Sequence, residues 1–194
     1  PMEHSILPYK LEGYGGNRAY STEASQTIRN KVLADIDAAF SACDIRDGAI
    51  LSFHHHLRNG DGVLNMVLAV AEKRGLKDIH VAASSIFAIH EPLVGHIQRR
   101  TVTGISAGFI SGPVAEAISR GMLDKPATLY THGGRARAIE SRELSIDVAF
   151  VAAPAADMSG NVSGTAGPRA CGTMGYPKAD VAAARHVVAV TDTL

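Results

Sequence analysis

The feature that most constrains this fold is the alternation of short apolar runs with longer stretches whose apolar residues recur every three or four positions. Runs at 49–54, 79–83, 102–105, 127–130, 148–152 and 187–190 are too short for stable helices and read as strands. Between the first two, Val63, Met66, Val67, Val70 and Ala71 mark a helix over 61–74 that stops at Gly75. A further helix is expected near 91–99. Gly112 and Pro113 open another, with Val114, Ala117 and Ile118 inward and Gly121 as its left-handed cap. Residues 135–144 read as a weakly amphipathic helix. Strand–helix units repeated in this way predict an α/β protein of three α/β/α layers around a mostly parallel sheet.

Ahead of these units, residues 1–20 hold Pro1, Pro8, Gly13, Gly15 and Gly16 without periodicity and read as an extended arm. Ser21 or Thr22 is expected to cap a helix carrying Ile28, Val32, Leu33, Ile36 and Phe40 on one stripe. With 194 residues and 46% apolar content, one α/β domain over 21–194 is expected. Residues 153–178 are rich in Gly, Pro, Ala and Ser, but they lie between two apolar strands, so they read as a long functional loop and not a linker.

Charge and cysteine content narrow the function classes. Lys plus Arg and Asp plus Glu are equal at 19 each, so no global basic field recommends nucleic acid or an acidic membrane. Trp is absent and aromatic residues make up 5%, which disfavours a stacking platform for single strands. Two cysteines, Cys43 and Cys171, with no leader or long apolar span, give the expectation of a cytoplasmic protein. No Walker lysine motif and no Gly-x-Gly-x-x-Gly occurs, which argues against nucleotide hydrolysis and dinucleotide redox chemistry.

In parallel α/β sheets, ligands bind beyond the carboxyl ends of the strands. After the first strand come His54, His55, His56, Arg58, Asn59, Gly60, Asp61 and Gly62, with Asp61 placed to cap the following helix. After the second come Ser84 and Ser85, and after the third Ser106 and Gly108. His132, Gly133, Gly134 and Arg135 follow the fourth strand, and Asp157, Gly160 and Asn161 the fifth. Donors and cations dominate this set and carboxylates are scarce, so the expected ligand is a polyanion or several anionic groups. Consecutive residues leaving a strand point to opposite faces, so the three histidines do not suit a metal, and none is expected. Asp157, Gly160 and Asn161 are usual turn formers, and a turn is favoured as their direct role, with a contribution to the site second. Direct catalytic candidates are His54, His56 and Glu116, although a first-turn glutamate ordinarily just complements the helix dipole.

These residues fall into linked motifs. They are Ser-Phe-His-His-His-Leu-Arg-Asn-Gly-Asp at 52–61, Val-Ala-Ala-Ser-Ser at 81–85 and Gly-Pro-Val-Ala-Glu-Ala-Ile-Ser-Arg-Gly at 112–121. Thr-His-Gly-Gly-Arg at 131–135 and Asp-Val-Ala-Phe-Val-Ala-Ala-Pro-Ala-Ala-Asp at 147–157, with Gly160 and Asn161, complete the set. Together, over about 25–194, the motifs resemble the N-terminal half of citrate lyase alpha subunits, members of the coenzyme A transferase superfamily. The resemblance implies the coenzyme A transferase fold, of the same type as glucosamine-phosphate deaminase and ribose-phosphate isomerase. It implies citrate CoA-transferase activity, in which acetate is exchanged for citrate on a thioester without a covalent enzyme intermediate. No covalently bound cofactor is implied; the phosphopantetheine thiol belongs to an acyl carrier protein.

The implied partners are the citrate lyase beta and gamma subunits, a second transferase half and further copies in an oligomer. The family chain is more than twice as long, and the glutamate nucleophile of the wider superfamily lies in the half this sequence lacks. Two other readings stay open: a sugar-phosphate isomerase or deaminase on the same fold, and a non-catalytic anion-binding half of a heteromeric transferase.

Overall fold

The structure is a computed structural model, and it describes residues 30–194. The arm expected over 1–20 and the start of the helix expected from Ser21 or Thr22 lie outside the described residues. Six parallel strands form the sheet: β1 (Ile50–His54), β2 (Ile79–Ala83), β3 (Val102–Ala107), β4 (Thr128–Leu129), β5 (Val148–Ala152) and β8 (His186–Val190). Their spatial order is β4-β3-β2-β1-β5-β8. A separate antiparallel hairpin pairs β6 (Ala155–Ala156) with β7 (Val162–Ser163). This is the α/β architecture expected, with a sheet that is wholly parallel apart from that hairpin. The chain runs outward from β1 to β4, then returns to place β5 on the other side of β1. The strand order therefore reverses at β1 and β5.

Alternation along the strands separates two apolar layers. Leu51 and Phe53 of β1, Ile79, Val81 and Ala83 of β2, and Val148 and Phe150 of β5 enter the larger core. There they meet helices α1 (Ile36–Ala42), α2 (Val63–Lys73), α3 (Pro92–Gln98) and α4 (Gly112–Ser119) through Phe40, Leu64, Leu68, Leu93 and Val114. Phe53 stacks on Phe150 with ring centroids 5.7 Å apart. The opposite layer is smaller and built from Ala82, Ala138, Ile139, Ala149 and Ala179. It holds α5 (His132–Glu140) and α6 (Lys178–Ala183), and its alanines let both helices sit close to the sheet.

That second layer contains a fully buried ion pair. Arg135 of α5 grips Asp180 of α6 with two hydrogen bonds, Nη1 to Oδ2 at 2.8 Å and Nη2 to Oδ1 at 2.6 Å. Nη2 also donates to the Ala82 carbonyl at 2.9 Å, and the Ser52 hydroxyl donates to Asp180 Oδ1 at 2.5 Å. One side-chain cluster thereby ties two helices to β1 and β2.

Several boundaries differ from the sequence reading. The first helix begins at Ile36 because the Asp35 carboxylate caps it, accepting from the Ala38 N–H at 2.7 Å. Val32 and Leu33 precede it and are exposed at 46% and 44%, so they do not extend its buried stripe. Helix α5 starts three residues earlier than expected, since the Thr131 hydroxyl accepts from the Gly134 N–H at 3.0 Å and caps it. It ends at Glu140 rather than 144. The 153–178 loop contains the β6–β7 hairpin, and α6 at its end was not anticipated, because Lys-Ala-Asp-Val-Ala-Ala offers little apolar contrast.

Removing one partner of the Arg135–Asp180 pair leaves the other charge buried and uncompensated. Arg135→Met is therefore expected to cost about 3–5 kcal/mol of unfolding free energy. The double substitution Arg135→Met with Asp180→Leu should recover much of the loss, as read by urea unfolding midpoints; equal stability of the single and double variants would contradict this account.

Candidate functional site

The strand order reverses between β1 and β5, and the carboxyl ends of strands at such a point are where parallel α/β sheets bind ligands. The loop leaving β1 lies there. Its conformation is set by Gly60, which adopts φ +85 and lies against Phe87, Ile89 and His90; an added Cβ would approach them to 3.0–3.1 Å. His90 pins this loop to the next one. Its Nδ1 accepts from the Phe87 N–H at 3.0 Å, and its Nε2 donates to the Asp61 carbonyl at 3.1 Å, so both ring nitrogens are assigned. Burial moves His90 below the ordinary histidine value, in keeping with a neutral ring.

Between these fixed points the loop carries its polar groups outward. Arg58 and Asn59 are exposed, and Arg58 has no ion-pair partner among the described residues. The backbone N–H groups of Leu57, Arg58 and Asn59 have no acceptor among the described residues either. A free guanidinium beside free N–H groups suits a carboxylate or a developing oxyanion. Asp61 serves the loop itself: its Oδ1 accepts from Val63 N at 3.0 Å and its Oδ2 from His56 N at 3.4 Å. It does so from one residue outside the N-cap, which is Gly62, and not as the cap expected from the sequence.

The three adjacent histidines separate. His55 donates from Nδ1 to the Leu57 carbonyl at 2.6 Å and meets Phe87 edge-on, with centroids 5.0 Å apart. His56 lies 3.6 Å from the Asp61 carboxylate, beyond hydrogen-bonding reach. His54 turns into the α5–α6 layer, where its Nε2 stands 2.7 Å from Asp180 Oδ2. It is also edge-on to Tyr176 at 5.4 Å. Burial lowers its proton affinity more than the hydrogen bond to Asp180 raises it. Burial would raise the Asp180 carboxyl, but hydrogen bonds and charge from His54 and Arg135 outweigh it and hold the group well below the usual carboxylate range.

Other expected site residues sit as follows. Ser85 lines a small cavity with His54, His55, Asp61 and His90, while Ser84 is buried at the end of β2. Gly108 follows β3 and has no room for a side chain: a Cβ would come 2.9 Å from the Ser84 carbonyl. His132 and Gly133 are exposed in the first turn of α5, with His132 4.9 Å from the Tyr176 ring. Gly134 is drawn against the Thr131 cap.

Some expectations need correction. Ser106 is not at a strand end; it is buried within β3 and bonds His80 Nε2 at 2.8 Å. Arg135 does not project toward a ligand, because its guanidinium is fully enclosed by Asp180, Ser52 and Ala82. Gly60 serves loop packing and does not open the backbone to a ligand. Asp157, by contrast, has the role favoured for it: it accepts from the N–H groups of Ser159 and Asn161 and from the Asn161 amide, so with Gly160 at φ +87 it makes the hairpin turn. Glu116 is exposed and lies 3.5 Å from Arg120 one helical turn on. Asp180 and Tyr176 were missed. Each sits in a stretch without periodicity, and only their neighbours in space distinguish them.

A parallel sheet whose strand order reverses, with a donor-rich loop at the switch point, defines the class: a doubly wound α/β protein. Comparison with known proteins is more specific. The family described as citrate lyase, alpha subunit (CitF), matches residues 29–194, and the chain belongs to that family. It is 41% identical to the citrate lyase alpha chain of Escherichia coli over 184 residues, 95% of this chain and 36% of that one. It is 36% identical to the Klebsiella pneumoniae citrate lyase alpha chain over 190 residues, 96% of this chain and 37% of the other. The chain thus spans a little over a third of these relatives. A crystal structure from Streptococcus mutans, of a protein assigned as the alpha subunit of citrate lyase and in complex with citrate, superposes with a TM-score of 0.83. It is 43% identical and covers 89% of this chain and 34% of its own.

Two expected outcomes follow from the site. Gly60→Ala must force a left-handed backbone onto an L-residue, at about 1–2 kcal/mol, and press on Phe87 and His90. Gly62→Ala, with open space around it, should be near neutral. Thermal melting of the two variants compares them directly. The second outcome concerns pH. His54, His80, His90 and His96 all hold a proton less readily than the ordinary value of 6.5, chiefly through burial. The unfolded chain then binds more protons below 6.5 than the folded one, so stability is full above that pH and declines as pH falls. Urea midpoints at neutral pH and at mildly acidic pH should differ in that direction, and equal midpoints would refute it.

Proposed function

We propose that this domain forms the citrate-binding wall of a citrate:acyl-thioester transferase, exchanging acetate for citrate on the thiol of a carrier-bound phosphopantetheine. The observation that carries this reading is the exposed Arg58 beside loop N–H groups at the switch point, none of them with a partner among the described residues, in a fold shared with a citrate-bound relative. A citrate carboxylate attacks the acetyl carbonyl and the thiolate leaves, giving a mixed anhydride. The thiolate then attacks the citryl carbonyl and expels acetate. Neither step needs an enzyme nucleophile.

Arg58 would neutralise an incoming carboxylate, and the N–H groups of Leu57, Arg58 and Asn59 would stabilise the tetrahedral oxyanion. His132 and Gly133 at the start of α5 would add further donors. The remaining wall comes from the second half of the longer family chain. Citrate lyase beta and gamma subunits, the latter being the acyl carrier, are the proposed partners, within a cytoplasmic oligomer.

The test uses the full-length chain with acetyl-loaded carrier protein and citrate. Acetate release is expected, and its absence would overturn the transferase reading. A charge-assisted hydrogen bond contributes about 1.5–3 kcal/mol, so Arg58→Ala should weaken citrate binding by roughly 10- to 100-fold with unchanged melting. Unchanged citrate affinity would remove Arg58 from the site.

A further inference from the structure

Every group proposed so far to meet the ligand is a donor or a cation. Citrate also carries a tertiary hydroxyl, whose proton needs an acceptor. We infer that His54 Nδ1 is that acceptor and that Asp180 is a positioning residue fixing the tautomer that makes it one. The inference rests on the citrate reading and names the part of the substrate that His54 recognises.

The tautomer follows from geometry. A carboxylate only accepts, so the 2.7 Å contact between His54 Nε2 and Asp180 Oδ2 requires the hydrogen on Nε2. The 3.4 Å approach of Arg135 Nη1 to the same nitrogen is much the longer of the two contacts, and with the hydrogen on Nε2 it is a cation contact, while Nη1 donates to Asp180 Oδ2 at 2.8 Å. In a neutral ring Nδ1 is left with its lone pair, and it meets no hydrogen-bond donor among the described residues. Burial keeps the ring neutral, with Arg135 and His55 opposing its protonation and Asp180 favouring it, while Tyr176 covers one edge.

Among the other acceptors lining the same cavity, those of Asp61 and His90 are engaged by described residues, while the Ser85 hydroxyl and His55 Nε2 are not; what sets His54 apart is the buried carboxylate behind its ring. Both Asp61 carboxylate oxygens are engaged by the N–H groups of Val63 and His56, and its carbonyl by His90. Both ring nitrogens of His90 are taken as well. His54 lines that cavity beside Ser85 and Asp61. A buried acceptor matched to a substrate hydroxyl penalises the analogue that lacks it, because the acceptor then stays unpaired. Asp180 acts one step back, as the carboxylate behind a catalytic histidine does.

The experiment measures dissociation constants of citrate and of tricarballylate, its deoxy analogue, for the full-length protein by calorimetry. Citrate is expected to bind about tenfold tighter or more. His54→Phe should bring the ratio of the two constants close to one, as should Asp180→Asn, whose amide can donate to Nε2 and move the ring hydrogen to Nδ1. Because Asp180→Asn also disturbs Arg135, a second measurement is made on the unaltered protein: nitrogen NMR of labelled histidine, with the His54 signal assigned by its loss in His54→Phe. An unprotonated Nδ1 whose resonance shifts with citrate and not with tricarballylate supports the inference. Equal affinities for the two acids, a protonated Nδ1, or full discrimination in His54→Phe would overturn it while leaving the citrate reading intact. Binding of neither acid would overturn both.

Discussion

The structure depends on one buried ion pair. Arg135 and Asp180 come from helices separated by β5 and the long loop after it, and they meet under the sheet with Ser52, His54 and the Ala82 carbonyl as further partners. Burying two charges is costly unless geometry is good and remaining valences are filled. Here the carboxylate receives bonds from Arg135, Ser52 and His54, while Arg135 Nε is buried without a partner among the described residues. Such a cluster is a poor source of net stability and a strong constraint on arrangement. It allows α5 and α6 one position each, and thereby sets where the first turn of α5 and the end of the 153–178 loop meet β1.

The anchor has a functional side because β1 serves both layers. Leu51 and Phe53 lock the strand into the large core, while Ser52 and His54 on its other face join the charged cluster. The strand therefore reaches its carboxyl end held from two sides, and the loop that follows begins from a fixed point. Gly60 and His90 hold its far end. What lies between, Arg58 and Asn59, is free to meet a ligand. Rigid supports around a short exposed span are what positioning of carboxylates and a thioester would require.

Much of the fold was legible in the sequence. β2 and β5 coincide with their apolar runs, and the helix opened by Gly112 and Pro113 ends as Gly121 predicts, at φ +74. The strand-end rule also located the β1 loop as the place to look. It failed where identity and accessibility part company. Arg135 and Ser106 have the residue types of a binding site, and both are buried. A one-dimensional pattern ranks an arginine after a strand as ligand-facing, yet α5 begins at His132, and one turn of helix carries Arg135 under the sheet. Asp157, Gly160 and Asn161 made a turn because Asp157 found its donors within four residues.

By itself, the sequence determined the layer architecture, because buried strands and amphipathic helices have distinct periodicities that a chain of this composition must satisfy. It also determined the glycines and caps that punctuate the elements, and it carried the motifs by which the chain resembles its family. Tertiary structure alone decided which charged groups face outward. Arg58 and Arg135 are chemically the same, and their difference lies in Asp180, 45 residues beyond Arg135 in the chain. Long-range pairing of that kind leaves no periodic trace in sequence, since it depends on which helix faces brings the partners together once the sheet has formed.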